Sequence, residues 1–191
     1  MSEEMVFATA KVLLVDDRQD NLVALEAMLQ GLPVEPVAVS SGEAALKRLL
    51  VDDFAVILMD AQMPGLDGFE TAGHIKRRER TRHIPIIFLT AADRDARLAL
   101  RGYAAGAVDY LTKPFDPWVL RAKVAIFVDL WVKTQQLRHQ AQQWARLAGA
   151  AREAVRLLGE PHLGAQAEQA REQLRAALPL EAEPATIRHL R

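Results

Sequence analysis

Short, almost continuous apolar runs alternate along this chain with longer stretches in which apolar residues recur every three or four positions. The runs lie at 12–15, 34–39, 55–59, 85–89 and 107–110 and read as strands. Helical periodicity covers 21–30, 42–50, 68–78, 93–103 and a segment that opens near Pro117. The strands at 12, 55 and 85 are apolar on both faces, as strands covered by helices on either side of a parallel sheet are. Five βα repeats within about 125 residues predict a doubly wound α/β domain with a five-stranded parallel sheet.

The last helical pattern is too long for that domain alone. From Pro117 it continues without glycine or proline to Gly149, and the pattern reaches Leu158. Apolar residues recur at Leu120, Val124, Phe127 and Trp131, then, after a change of phase, at Leu137, Ala141, Trp144, Ala148, Ala151, Val155 and Leu158. Steps of four and three make a heptad seam, and the change of phase reads as a stammer. The competing reading is an amphipathic helix folded back on its own domain. Gly159, Pro161 and Gly164 interrupt the pattern, and Gln166 to Leu178 reads as a second helix ended by Pro179 and Pro184. The expected organisation is an α/β domain over 1–129, a helical or coiled-coil extension over 130–178, and a tail over 179–191. A long helix, a turn and a second helix can form a hairpin and, in a dimer, a four-helix bundle.

Composition narrows the function classes. A chain of 191 residues fits one domain plus an appendage. A net charge of -1 gives no bulk attraction to nucleic acid or an anionic membrane. The absence of cysteine excludes disulfides, thiolate metal sites and cysteine nucleophiles. No apolar run approaches the roughly 18 residues of a membrane span, and the acidic start Met1-Ser-Glu-Glu-Met-Val6 lacks signal-peptide features. A cytoplasmic protein is the expectation.

In doubly wound sheets ligands bind beyond the carboxyl ends of the strands, and Asp16, Asp17, Asp60, Thr90 and Lys113 all fall there. Two carboxylates 4 Å apart repel by roughly 4 kcal/mol at an effective dielectric of 20, so three together require counter-charge. Lys113 supplies part of it and a divalent cation the rest. An oxygen-only donor set favours Mg2+. A carboxylate that keeps a free lone pair is then the natural nucleophile for a phosphoryl group, with Lys113, the cation and the Thr90 hydroxyl facing its oxygens. Singly, each residue has a plainer use. Asp16 and Asp17 suit a helix cap near Asn21, Lys113-Pro114 suits a turn, and Tyr110 suits a half-buried strand.

Taken in order, Asp16-Asp17, Asp60 with Met63-Pro64-Gly65, Leu89-Thr90-Ala91 and Asp109-Tyr110-Leu-Thr-Lys113-Pro114-Phe115 resemble the receiver domain of two-component response regulators, over roughly residues 9 to 129. The resemblance implies a flavodoxin-like sheet of order 2-1-3-4-5 and Asp60 as phosphoacceptor. It implies Asp17 and Asp60 as direct Mg2+ ligands, Asp16 acting through water, and the main-chain carbonyl of Gln62 as a further ligand. Lys113 is implied to pair with the phosphoryl group, the Lys113-Pro114 bond to be cis, and Thr90 and Tyr110 to be the switch pair, the ring turning inward. A histidine kinase is the implied partner, and no turnover is implied beyond self-phosphorylation and self-dephosphorylation. Gln62 and Ala92 occupy positions that tune hydrolysis; a long amide beside a small residue implies an intermediate phosphoryl lifetime. The tail carries no nucleotide loop or second acid cluster, and His139, His162 and His189 lack the context of a phosphorylated histidine. The output expected is therefore homodimerisation or contact with a downstream protein through the helical extension. A small DNA-binding output and a role as a phosphate intermediary or sink are the alternatives.

Overall fold

The computed structural model describes residues 9–91, 109–157 and 172. In chain order its elements are β1 (Ala10–Val15), α1 (Gln19–Leu29), β2 (Val34–Val39), α2 (Gly42–Arg48), β3 (Val56–Asp60), α3 (Gly68–Arg77), β4 (Ile86–Ala91), β5 (Asp109–Lys113) and α4 (Pro117–Leu157). The strands form one parallel sheet in the order β2-β1-β3-β4-β5, the doubly wound arrangement expected from the alternation of elements. The helix expected at 93–103, Ala92, and nearly all of the chain beyond Leu157 lie outside the described residues. The chain divides into two compact units, Met1–Thr134 and Gln135–Arg191.

Strand alternation sends successive side chains to opposite faces, and this sheet buries both. On one face Val12, Leu14, Val56, Leu58, Ile87 and Leu89 form a core with Leu22, Leu25 and Leu29 of α1 and Leu120, Val124 and Val128 of α4. On the other, Leu13, Val15, Ile57, Met59, Ile86 and Phe88 form a core with Ala45 and Leu49 of α2 and Phe69, Ala72 and Ile75 of α3. The Phe69 and Phe88 rings lie 4.7 Å apart and tilted, a favourable aromatic geometry. Pro36 is placed in β2, an edge strand, where a missing N–H costs no interior hydrogen bond.

One expectation is corrected. The strand expected at 107–110 is placed at 109–113. As an edge strand it buries Leu111 between exposed Tyr110 and Thr112, so the apolar run stops short of the ladder, which continues to Lys113 opposite Ala91. Leu120, Val124 and Val128 are core residues, with Phe127 and Trp131 packed against them, so the first apolar stripe of α4 is a fold-back face. Leu130, Leu137 and Trp144 are 59%, 66% and 73% exposed and follow one another at seven-residue spacing. Of the second apolar series, Val155 is buried while Leu137 and Trp144 are exposed.

Local signals fix the helix ends. Ser41 Oγ accepts from the Ala44 N–H at 3.1 Å, and Asp67 and Glu70 form a reciprocal capping box at α3. Arg121 donates to the carbonyls of Met28 and Gln30, tying α4 to the end of α1, where Gly31 takes φ +83°. At the opposite edge of the sheet from the strand ends, Lys11 donates to Asp52 at 2.6 Å, and this bond holds the Asp52 carboxyl below its ordinary value. A carboxylate whose folded pKa is depressed adds stability above its unfolded value, near 3.8, and loses it as pH falls through the folded one. The Tm deficit of Asp52→Asn against wild type is therefore expected at neutral pH and to shrink as pH falls below the ordinary aspartate value; a deficit independent of pH would contradict this role.

Candidate functional site

The site is assembled at the carboxyl ends of β1, β3, β4 and β5. Register pairs Val15 with Met59, Asp60 with Leu89, and Ala91 with Lys113, so residues from distant parts of the sequence reach one edge. Asp16 and Asp17 follow β1, Asp60 closes β3, Thr90 is half-buried near the end of β4, and Lys113 closes β5.

Carboxylate oxygens of Asp16, Asp17 and Asp60 all lie within 4.8 Å of one another. Lys113 Nζ donates to Asp16 Oδ2 at 3.0 Å and lies 3.4 Å from Asp60 Oδ1. Asp16 is completely buried, Asp60 is buried and Asp17 is exposed. Burial pushes the Asp60 carboxyl above the ordinary carboxylate value; the positive charge of Lys113 opposes this, Asp16 adds to it, and the Gln62 main-chain hydrogen bond works against it. Three acids and one ammonium leave net negative charge in a partly enclosed pocket. Among the described residues this is the one cluster of acids able to hold a metal ion. Its oxygen donors, with no histidine or cysteine, fit a hard cation such as Mg2+.

Asp16 has more partners than the sequence reading gave it. Its Oδ1 accepts from the Arg18 N–H at 3.0 Å and from Asn21 Nδ2 at 2.8 Å, and its Oδ2 accepts from Asn21 Nδ2 at 3.0 Å. The capping alternative survives only in part. Arg18 is the N-cap of α1 and its side chain makes no cap bond, while Asp16 takes the Arg18 N–H and faces Lys113.

The loop after Asp60 is shaped by glycine. Gly65 adopts φ +75°, a conformation open to glycine at little cost. At Gly68, the first residue of α3, a Cβ would lie 2.2 Å from the Asp60 carbonyl oxygen and 3.0 Å from Ala61 Cα. The Gly68 N–H donates to the Ala61 carbonyl at 3.2 Å. The start of α3 thus rests on the backbone that carries the Asp60 carboxylate. Gly68→Ala is expected to destabilise by about 1–3 kcal/mol, the usual cost of overpacking, read from chemical denaturation; a change below about 0.5 kcal/mol, the range of ordinary surface substitutions, would show that the backbone yields.

The remaining expected residues are placed as follows. Tyr110 is 46% exposed, so its ring is outward. The Lys113-Pro114 peptide is cis. The Gln62 side chain is exposed, and Ala92 lies outside the described residues. Asn21 and Gly68 were read from sequence only as helix starts. The signals available for them were a polar residue one turn into the helix after the acid pair, and a glycine directly after a capping aspartate.

A family model described as the response regulator receiver domain matches residues 12–125. The response regulator PleD of Caulobacter vibrioides is 36% identical over 152 residues, covering 79% of this chain and 33% of that protein. The alkaline phosphatase synthesis transcriptional regulatory protein PhoP of Bacillus subtilis is 35% identical over 114 residues, covering 60% of this chain and 46% of that protein. The chain thus spans 33% of the length of PleD and 46% of that of PhoP. Among solved structures, the receiver domain of a sensor histidine kinase from Pseudomonas aeruginosa PAO1, with a magnesium ion coordinated in its active-site cleft, is 33% identical. It matches with a TM-score of 0.58 over 64% of this chain and 99% of that one. A response regulator structure from Chloroflexus aurantiacus is 32% identical, with a TM-score of 0.59 over 64% of this chain and 99% of that one.

Proposed function

This chain belongs to the response regulator receiver family, and from that premise we propose that Asp60 accepts a phosphoryl group from a histidine kinase and that the helical extension transmits the change. The observation that carries the reading is the convergence of Asp16, Asp17 and Asp60 within 4.8 Å, with Lys113 at 3.0 Å from the first and 3.4 Å from the last. Asp17, Asp60 and the Gln62 main-chain carbonyl would hold Mg2+ directly, and Asp16 through water. When bound, Mg2+ neutralises charge on the phosphoryl oxygens and on the acids.

The chain's own residues supply the rest. A lone pair of an Asp60 carboxylate oxygen attacks phosphorus, the phosphorus–nitrogen bond of a phosphohistidine breaks, and the imidazole leaves with that electron pair and takes up a proton. Lys113 compensates the charge brought to the pocket. Thr90, at the end of β4, donates its hydroxyl to a phosphoryl oxygen. Tyr110, on β5 opposite Phe88 of β4, follows by turning inward. Incubation with an acyl phosphate and Mg2+, followed by mass spectrometry of acid-stable peptides after borohydride trapping, tests the acceptor; label at any other residue would refute it.

We further propose that the output is self-association through α4. The exposed seven-residue series Leu130, Leu137 and Trp144 supports a helix–helix seam. Beryllofluoride with Mg2+ is expected to shift the full chain toward twice the single-chain mass in light scattering. The chain truncated after Leu130 is expected to remain single yet still be phosphorylated at Asp60. A single-chain mass in both states removes the dimer and leaves the phosphate-intermediary role, recognised by rapid phosphate return to a histidine protein. Salt-dependent binding to duplex DNA would point to a nucleic-acid output instead. No helix among the described residues is long and apolar enough to cross a membrane, which fits the cytoplasmic location we propose.

A further inference from the structure

The Asn21 backbone N–H donates to the Arg18 carbonyl at 3.0 Å, but its side chain is turned out of the helix. Asn21 lies in the first turn of α1, whose N-cap is Arg18, and its amide nitrogen is directed at both oxygens of Asp16, 2.8 Å from Oδ1 and 3.0 Å from Oδ2. Asp16 is fully buried, and its other donors are the Arg18 N–H and Lys113 Nζ, each at 3.0 Å. A carboxylate offers about four lone-pair directions. These donors spread over both oxygens, and Asn21 alone spans the pair.

We infer that Asn21 is a positioning residue for the cation site: it holds the plane of the Asp16 carboxylate so that the group stays aimed at the cluster it shares with Asp17 and Asp60. This rests on the reading of the cluster as a Mg2+ site. Two physical points carry it. Asn21 is anchored by helix backbone on a short side chain, so it fixes a direction that the long, flexible Lys113 cannot. It is also neutral, so it satisfies a buried carboxylate without adding positive charge to repel a divalent cation. Without Asn21, the salt bridge to Lys113 becomes the main side-chain restraint on Asp16. The carboxylate then turns toward the ammonium and away from the cation. Partners that orient metal-site groups in this way typically change affinity by about 10–100-fold.

The test uses the 191-residue chain with Mg2+ alone as ligand, its affinity read from the Mg2+ dependence of Tm, with no phosphodonor present. Asn21→Ala is expected to weaken Mg2+ about tenfold while keeping wild-type far-ultraviolet circular dichroism. In an Asp16→Asn background the same change is expected to leave affinity untouched, because the group it positions is no longer charged. Equal weakening in both backgrounds, or none in the wild type, overturns the inference. If Asn21→Ala does not fold, Asn21→Ser, which removes the bridge but keeps one hydroxyl donor, is carried through the same cycle with the same criteria. A wild-type chain whose Tm ignores Mg2+ overturns the cation reading itself, and the inference with it. A wild type that responds while the variant responds identically overturns only the role of Asn21.

Discussion

Asp60→Asn should take up no phosphoryl group from a phosphohistidine or an acyl phosphate, yet fold at least as stably as the wild type without Mg2+. The first half follows from chemistry. An amide has nearly the shape of the carboxylate but is not a nucleophile toward phosphorus, and Asp16, the other buried acid beside Lys113, has both oxygens taken by hydrogen bonds from Asn21, the Arg18 N–H and Lys113. The second half follows from electrostatics. Asp60 shares its pocket with Asp16 and Asp17, all three within 4.8 Å, and burial together with the charge of Asp16 disfavours its ionised form. Removing one charge relieves that crowding, which for a chain of this size is worth about 2–4 °C in Tm for each kcal/mol. The gain should vanish at high Mg2+, where the wild type recovers more from the cation than the variant does. Incorporation of radiolabel above background in Asp60→Asn, or a large fall in its metal-free Tm, would contradict the assignment.

Lys113→Ala should lose about 10²–10³-fold in phosphoryl incorporation rate, the scale on which a single preorganised charge facing a transition state acts. Lys113 is the last residue of β5, and its contacts there are with the acids, Asp16 at 3.0 Å and Asp60 at 3.4 Å. Lys113 belongs to neither apolar core cluster, so its removal leaves both clusters complete. Asp16 keeps its bonds from Asn21 and the Arg18 N–H, so the fold should persist. Mg2+ affinity gives the discriminating readout. Losing an ammonium from an acidic pocket should leave it unchanged or tighter, while phosphorylation collapses. A variant that lost Mg2+ binding and phosphorylation together would mark Lys113 as scaffold rather than as the partner of the phosphoryl group.

The central strands were legible because burial on both faces writes itself as unbroken apolar sequence. Val56 to Met59 is such a run, and the carboxylate that ends it stands out by contrast. Edge strands lack that signature, and so β5 was displaced by a few residues: only Leu111 between its polar neighbours turns inward. The acid and lysine positions were readable from order along the chain, whereas Asn21 was not, since a donor to Asp16 five residues away looks identical to any helix-start polar residue until the backbone turns it inward. Gly68 was hidden for a related reason. The sequence displays a glycine but not the Asp60 carbonyl that a methyl group would meet. In α4 the periodicity was visible, but buried and exposed apolar positions have the same spacing, and only burial separates Leu120, Val124 and Val128 from Leu130, Leu137 and Trp144.

That division of α4 sets a rule of length for any chimaera made from this chain. The inward stripe ends near Trp131, so a splice placed after it leaves the receiver core intact. Each residue added or removed there rotates everything downstream by about 100° about the helix axis. Insertions of seven keep the exposed series nearly in line, and single-residue changes turn it aside. Graft length, more than graft composition, would then decide whether a transplanted output hears Asp60.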